Sequence, residues 1–265
     1  MMHRVSFRNI RIFLSYEVRR IIFSDRFRII SVFIILFPTA YIALVLSNPT
    51  VSIENLFYHM MNSMIIILYL YNVAIASNLY YKDYEENTID YIYSQPVSRF
   101  EIYLSRISSI LLLNLIGIII LALYSGSSLY ILGRLDANVI PAITYLAILY
   151  YISVVYGIFI GLLNLFIINT RKTVVVGIIL YIILFYINGY IDILYYSDVD
   201  SIIKFIIDLL PHRISLLPAS AIEYLYGVPV GYNMPIPSNL AIASIIYLLV
   251  GLYLGYRRVV LYDPI

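Results

Sequence analysis

Residues 142–168 read AITYLAILYYISVVYGIFIGLLNLFII, 27 positions without one charged side chain. A helix needs about 20 apolar residues to cross the hydrocarbon core of a bilayer, so this run reads as a transmembrane span. Five further stretches qualify in the same way: 27–46, 60–80, 103–124, 173–194 and 240–256. Pro38 interrupts the first, and Asn114 with Gly117 the third; lipid-embedded helices tolerate such residues. The chain is 62% hydrophobic and 12% charged, with a mean hydropathy of +0.91. A soluble domain runs nearer to about 45–50% apolar and about 25% charged. The expected fold is an all-α integral membrane domain over residues 1–265, with six transmembrane helices. The sequence has no cysteine, which excludes disulfides, thiolate metal sites and cysteine nucleophiles.

Orientation follows from the positive charges of the connections. Arg4, Arg8, Arg11, Arg19, Arg20, Arg26, Arg28, Lys82, Arg99, Arg106, Arg171, Lys172, Arg257 and Arg258 fall on one side. Only Arg134, Lys204 and Arg213 fall on the other. Both termini are therefore expected in the cytoplasm, in a multi-pass protein of the cell membrane. The N-terminal lead is not expected to be a cleavable signal, because its arginine-rich run is too long and no small-residue site follows the first apolar run.

Within the lead segment 1–26, VSFRNIRIFLSYEVRRIIF (residues 5–23) has the pattern of an amphipathic helix. Arg4, Arg8, Arg11 and Arg19 share one face, with Phe7, Ile10, Phe13, Leu14 and Ile21 opposite. Such a helix is expected to lie in the interface, with its apolar face in the acyl boundary and its arginines toward anionic headgroups. Glu17 falls inside the apolar arc. It either pairs with Arg20 or meets a cytoplasmic partner.

One polar block breaks the apolar chain: YKDYEENTIDYIYSQPVSRFE, residues 81–101, within the connection 81–102. The second span is expected to run on as a polar helix through Glu85 and Glu86. Asn87 tolerates the left-handed conformation that ends a helix, and Thr88 can cap a new one. Ile89, Ile92 and Tyr93 then follow at helical spacing until Gln95-Pro96 closes the element. Ser98-Arg99-Phe100-Glu101 is a capping box, with Val97 and Ile102 placed as its hydrophobic staple. A loop that only reverses the chain needs a handful of residues, so this block reads as a rigid shelf suited to docking, or as a helix lying on the headgroups.

Glu86, Thr88, Pro96, Ser98, Arg99, Glu101 and Ile102 match in kind and spacing the first cytoplasmic loop of type 2 ABC-transporter permeases, which the chain resembles. Asn87 stands where that family has glycine, and Ser105-Arg106 where it has Gly-Lys. The layout of lead helix, six spans, shelf and long outer segment is similar as well. The resemblance implies that the shelf is a coupling helix seated in a groove of a separate ATP-binding subunit. The expected contact residues are Glu85, Glu86, Asn87, Thr88, Ile89, Ile92, Tyr93, Gln95 and Pro96, with Glu17 beside them. It also implies a permease, and export by a pair of such subunits (homodimer or close heterodimer). ATP and magnesium would sit on the partner, since no G-x-x-x-x-G-K-[ST] loop occurs here. No catalytic, metal or nucleic-acid site is expected.

Inside the membrane, Tyr58, Asn62, Tyr69 and Asn72 share an arc of the second span, and Tyr181, Asn188, Asp192 and Tyr195 an arc of the fifth. Polar groups at depth face the bundle interior or a cavity. Interhelical hydrogen bonding is one role for them. Lining a translocation path is the other, with Asn62, Tyr69, Asn72, Asn188 and Asp192 as its candidates. Gly157-x-x-x-Gly161 and Gly251-x-x-x-Gly255 permit close helix approach, within the chain or at a dimer seam. The outer segment 195–239 carries SIIKFIIDLL after a break and five prolines, and the resemblance implies short re-entrant helices there. The alternatives are an ion-coupled secondary carrier, which calls for midplane charges and internal repeats, and a prenyltransferase-like enzyme using Asp83, Glu86 and Asp90.

Overall fold

The computed structural model describes residues 6–47, 56–80, 83, 97–131, 138–167, 169–196, 201–211, 213–230 and 235–261, without the side chains of 45–47, 131, 184–196 and 261. Among these the fold is entirely helical. Helix α1 spans Phe7–Ile22 and α2 Asp25–Ser47. Helices α3 (Leu56–Ser63) and α4 (Ile65–Ala76) follow almost without a break. Then come α5 (Arg99–Ile131), α6 (Val139–Ile167) and α7 (Thr170–Tyr196). The chain closes through α8 (Ser201–Asp208), a tight turn at Arg213–Leu216, α9 (Leu217–Tyr226) and α10 (Pro237–Tyr256).

Five of these helices are long and apolar enough to cross a membrane, with α3 and α4 counted as one. The number rises to six if the pair formed by Ser201–Asp208 and Arg213–Tyr226, bent by 91°, is taken as one span. The protein is thus a multi-pass membrane protein with five to six long apolar helices. Helix α7, 27 residues long, covers the stretch 173–194. At Met64 the amide reaches both Met60 O (3.2 Å) and Met61 O (3.1 Å), a local tightening inside the single candidate span Leu56–Ala76.

Helix α6 is the hub, packing against α4, α5, α7, α9 and α10. Its two interior glycines explain how. A Cβ at Gly157 would stand 2.6 Å from Asn72 Oδ1 and 2.6 Å from Ile110 Cγ2, and one at Gly161 3.3 Å from Tyr80. On α10, a Cβ at Gly251 would come within 2.7 Å of Ile158 Cγ2 on α6. Both small-residue pairs therefore serve packing inside one chain. The outward faces remain apolar: Leu111, Leu115, Ile119 and Leu123 on α5 are exposed, as are Ile245, Leu249 and Tyr253 on α10. Apolar surface that extensive is untenable in water and natural in lipid.

Helix α1 differs from the sequence expectation in where its apolar arc points. Ile21 and Glu17 are buried, and Ile10, Phe13 and Leu14 are half-buried, on the side packed against α5. The arc serves the protein interior because it contains Glu17, which needs a counter-charge that hydrocarbon cannot supply. Phe7 alone of that arc is largely exposed.

Overpacking a tight helix contact costs about 1–3 kcal/mol. Gly157→Ala is therefore expected to lower the unfolding temperature of the detergent-purified chain. Gly126→Ala, whose Cβ meets nothing within 4 Å, is expected to stay within about 0.5 kcal/mol of wild type. Equal responses would contradict the packing described.

Candidate functional site

Four charged side chains from three elements converge where α4 runs out and α5 begins. Arg20 of α1 bridges Glu17 on its own helix and Asp83 beyond α4. Arg106 of α5 pairs with the other oxygen of Asp83 and, at 3.4 Å, with Glu17. The four side chains are between 0% and 7% exposed, and two cations face two anions. Burial on this scale is costly for a lone ion and tolerable for a paired, hydrogen-bonded set. Burial pushes the Glu17 carboxyl above the usual carboxylate range, against the pull of Arg20 and Arg106. The Arg106 guanidinium also lies over the Tyr80 ring, 5.4 Å from its centroid.

The end of α4 is held by further groups. Arg20 donates to Asn78 O (3.1 Å), and Arg26 donates to Asn78 Oδ1 (3.2 Å). The Tyr80 amide donates to Asn164 Oδ1 of α6 (3.0 Å), and Asn164 Nδ2 donates to Thr173 Oγ1 of α7 (3.2 Å). On the other flank, the capping box closes as its spacing predicts. The Ser98 amide and hydroxyl both donate to Glu101 Oε2, at 2.8 and 3.0 Å, and the Glu101 amide returns a bond to Ser98 Oγ at 3.2 Å. Glu101 Oε1 accepts the amide of Ser6, the residue that precedes α1. Helix α1 is therefore tied at one end to the start of α5 and at the other to Asp83. It straps together the two flanks of residues 84–96.

The expected contact residues Glu85, Glu86, Asn87, Thr88, Ile89, Ile92, Tyr93, Gln95 and Pro96 lie outside the described residues. Glu17 is described; its carboxylate is buried and paired with Arg20, one of the two alternatives its position offered. Among the path candidates, Asn62 is half-buried. The Tyr69 hydroxyl donates to Gly177 O of α7 (3.2 Å). Asn72 enters a closed ring with two residues that the sequence reading did not single out as a set. Asn72 Nδ2 donates to Ser153 Oγ (2.9 Å), Ser153 Oγ to Asn114 Oδ1, and Asn114 Nδ2 to Asn72 Oδ1 (2.9 Å). The three side chains are 0–1% exposed and pin α4, α5 and α6 together. For Asn188 and Asp192, the side chains lie outside the described residues.

Sequence reasoning also missed Asp83 and Arg106 as a pair. Their signal was present as charges bordering spans two and three, but their partner Glu17 is distant in sequence. Among the described residues, no group of three His, Cys, Asp or Glu side chains could hold a metal ion.

Removing one partner from a buried ion pair typically costs about 3–5 kcal/mol. Asp83→Ala is expected to lose stability on that scale in thermal unfolding of the purified chain. Glu17→Gln should lose less than half as much, because Asp83 still pairs with both arginines. The reverse ranking would overturn the assignment of Asp83 as the bridge.

No curated protein is a significant match to the chain. The family described as ABC-2 family transporter protein matches residues 24–188, which is more than half of the 265 residues. The match takes in Asp83, the asparagine ring and Arg106, and starts just beyond α1. The chain belongs to the ABC-2 family of transporter proteins.

Proposed function

We propose that this chain is the membrane permease subunit of an ABC exporter, driven by ATP that a separate subunit binds with magnesium and hydrolyses. In this reading the basic end of the bundle is cytoplasmic, α7 is the fifth of six spans, and α1 lies along the interface. The connection 81–102 carries the coupling helix, with Glu86 and Thr88 at its ATPase contact. Two such permeases, identical or closely related, assemble with their ATPases.

The observation that carries the reading is the strapping of both flanks of that segment. A loop that transmits force must be stiff at its roots, or motion of the partner dissipates locally. Asp83 on one flank is paired with Arg20 of α1; on the other, Arg106 is paired with Glu17 of α1, and Glu101, which closes the capping box with Ser98, accepts the amide of Ser6 at the head of α1. Glu17 then acts beneath the docking surface, holding Arg20 and Arg106 in place. The Asn72, Asn114 and Ser153 side chains that join α4, α5 and α6 are neutral amides and a hydroxyl, whereas an ion-coupled carrier calls for titratable or charged groups at such a junction.

Co-purification of the tagged chain with an ABC-type ATPase from its native membranes tests this directly. Glu86→Lys and Thr88→Ala are expected to abolish the association while leaving thermal unfolding of the chain unchanged. Transport by the purified chain in vesicles under an ion gradient, without ATP, would sink the proposal.

A further inference from the structure

The exposed side of α1 remains after the strap is accounted for. At 100° per residue, Arg11, Ser15, Arg8 and Arg19 fall within roughly 80°, and Ile12, Phe23 and Tyr16 within roughly the next 40°. All seven are exposed. Phe23 is 67% exposed and Ile12 55%, although both lie beside arginines. Along the boundary of the two stripes runs a groove of about 490 Å³ lined by Ile12, Ser15, Tyr16, Arg19, Arg20 and Phe23.

We propose that this groove binds an anionic phospholipid of the surrounding bilayer, its phosphate on Arg19 and Ser15 and its acyl chains along Ile12, Tyr16 and Phe23. Three observations converge on that ligand. The groove pairs a cationic wall with an apolar one, and a phospholipid presents the same two chemistries side by side. An acidic protein surface would meet the arginines and leave the aromatic wall in water. Phe23 leads directly into α2, a candidate span from Asp25 onward, whose Ile29, Val32 and Phe33 are exposed. The apolar wall is thus continuous with a lipid-facing helix, which sets the groove at headgroup depth. Guanidinium groups bind phosphate oxygens through paired N–H donors, and the Ser15 hydroxyl supplies one more. Arg20 lines the groove while its charge is engaged by Asp83 and Glu17, so Arg19 is the cation that selects for negative headgroups. The site does not depend on the transport reading, and lipid binding alone reports on it.

The test is a titration of the full-length chain, purified in neutral detergent at physiological ionic strength, with short-chain phosphatidylglycerol. Phosphatidylcholine of the same chain length and inorganic phosphate are the comparison arms, and thermal unfolding is the readout. Phosphatidylglycerol is expected to raise the unfolding temperature and the other two to leave it unchanged. Arg19→Gln should weaken the apparent affinity about fivefold, the usual share of one basic residue at a membrane surface. Arg19→Lys should retain most of it, and Arg171→Gln, an exposed basic position at the start of α7, should behave as wild type. Equal stabilisation by phosphatidylcholine or by phosphate would overturn the proposal. So would an unchanged affinity in Arg19→Gln, or equal weakening in Arg171→Gln, which would mean diffuse attraction to basic surface.

Discussion

The neutral set of Glu17, Arg20, Asp83 and Arg106 is the constraint on which the basic end of this protein depends. Each member alone would be intolerable at its burial. Together they neutralise one another and join α1, the tail of α4 and the start of α5. The geometry is reciprocal: each arginine touches both acids, and each acid touches both arginines. Such a closed set ties the positions of its members to one another even where net stabilisation is small.

The second device, the asparagine–serine ring, does the same for the middle of the bundle with neutral groups. Interhelical hydrogen bonds in membranes are individually modest, about 0.6 kcal/mol on average in one well-studied case. Their value here is directional. Gly157 lies one turn from Ser153 and lets α6 approach Asn72 closely enough to close the ring. Packing and polarity are thus specified by neighbouring positions on one helix face.

Much of this was legible in the sequence because it is local. Hydrophobic length announces the long helices, the spacing of Ser98 and Glu101 announces a capping box, and glycines four apart announce close approach. Glu17 in an apolar arc signalled that a counter-charge must exist. That its counter-charges, Arg20 and Arg106, are shared with Asp83, with Arg106 lying 89 residues away, is a property of the assembled bundle, and no periodicity encodes it. The same limit applied to Asn72, Asn114 and Ser153. Asn72 and Asn114 stood out as polar residues in apolar runs and Ser153 did not; the closure of all three into a ring depends on three helices meeting. The direction of the apolar arc of α1 escaped for a related reason. Amphipathicity tells that a face is buried without telling whether protein or lipid buries it.

The neutrality of the ring has an electrical consequence. Carrying one elementary charge through the full membrane potential involves about 2.3 kcal/mol per 100 mV. The ring carries none, and the four-member ionic set at the basic end sums to zero. Helix motions that shift either group as a unit therefore do almost no work against the field. The coupling between these helices should keep the same strength in an energised membrane as in a depolarised one.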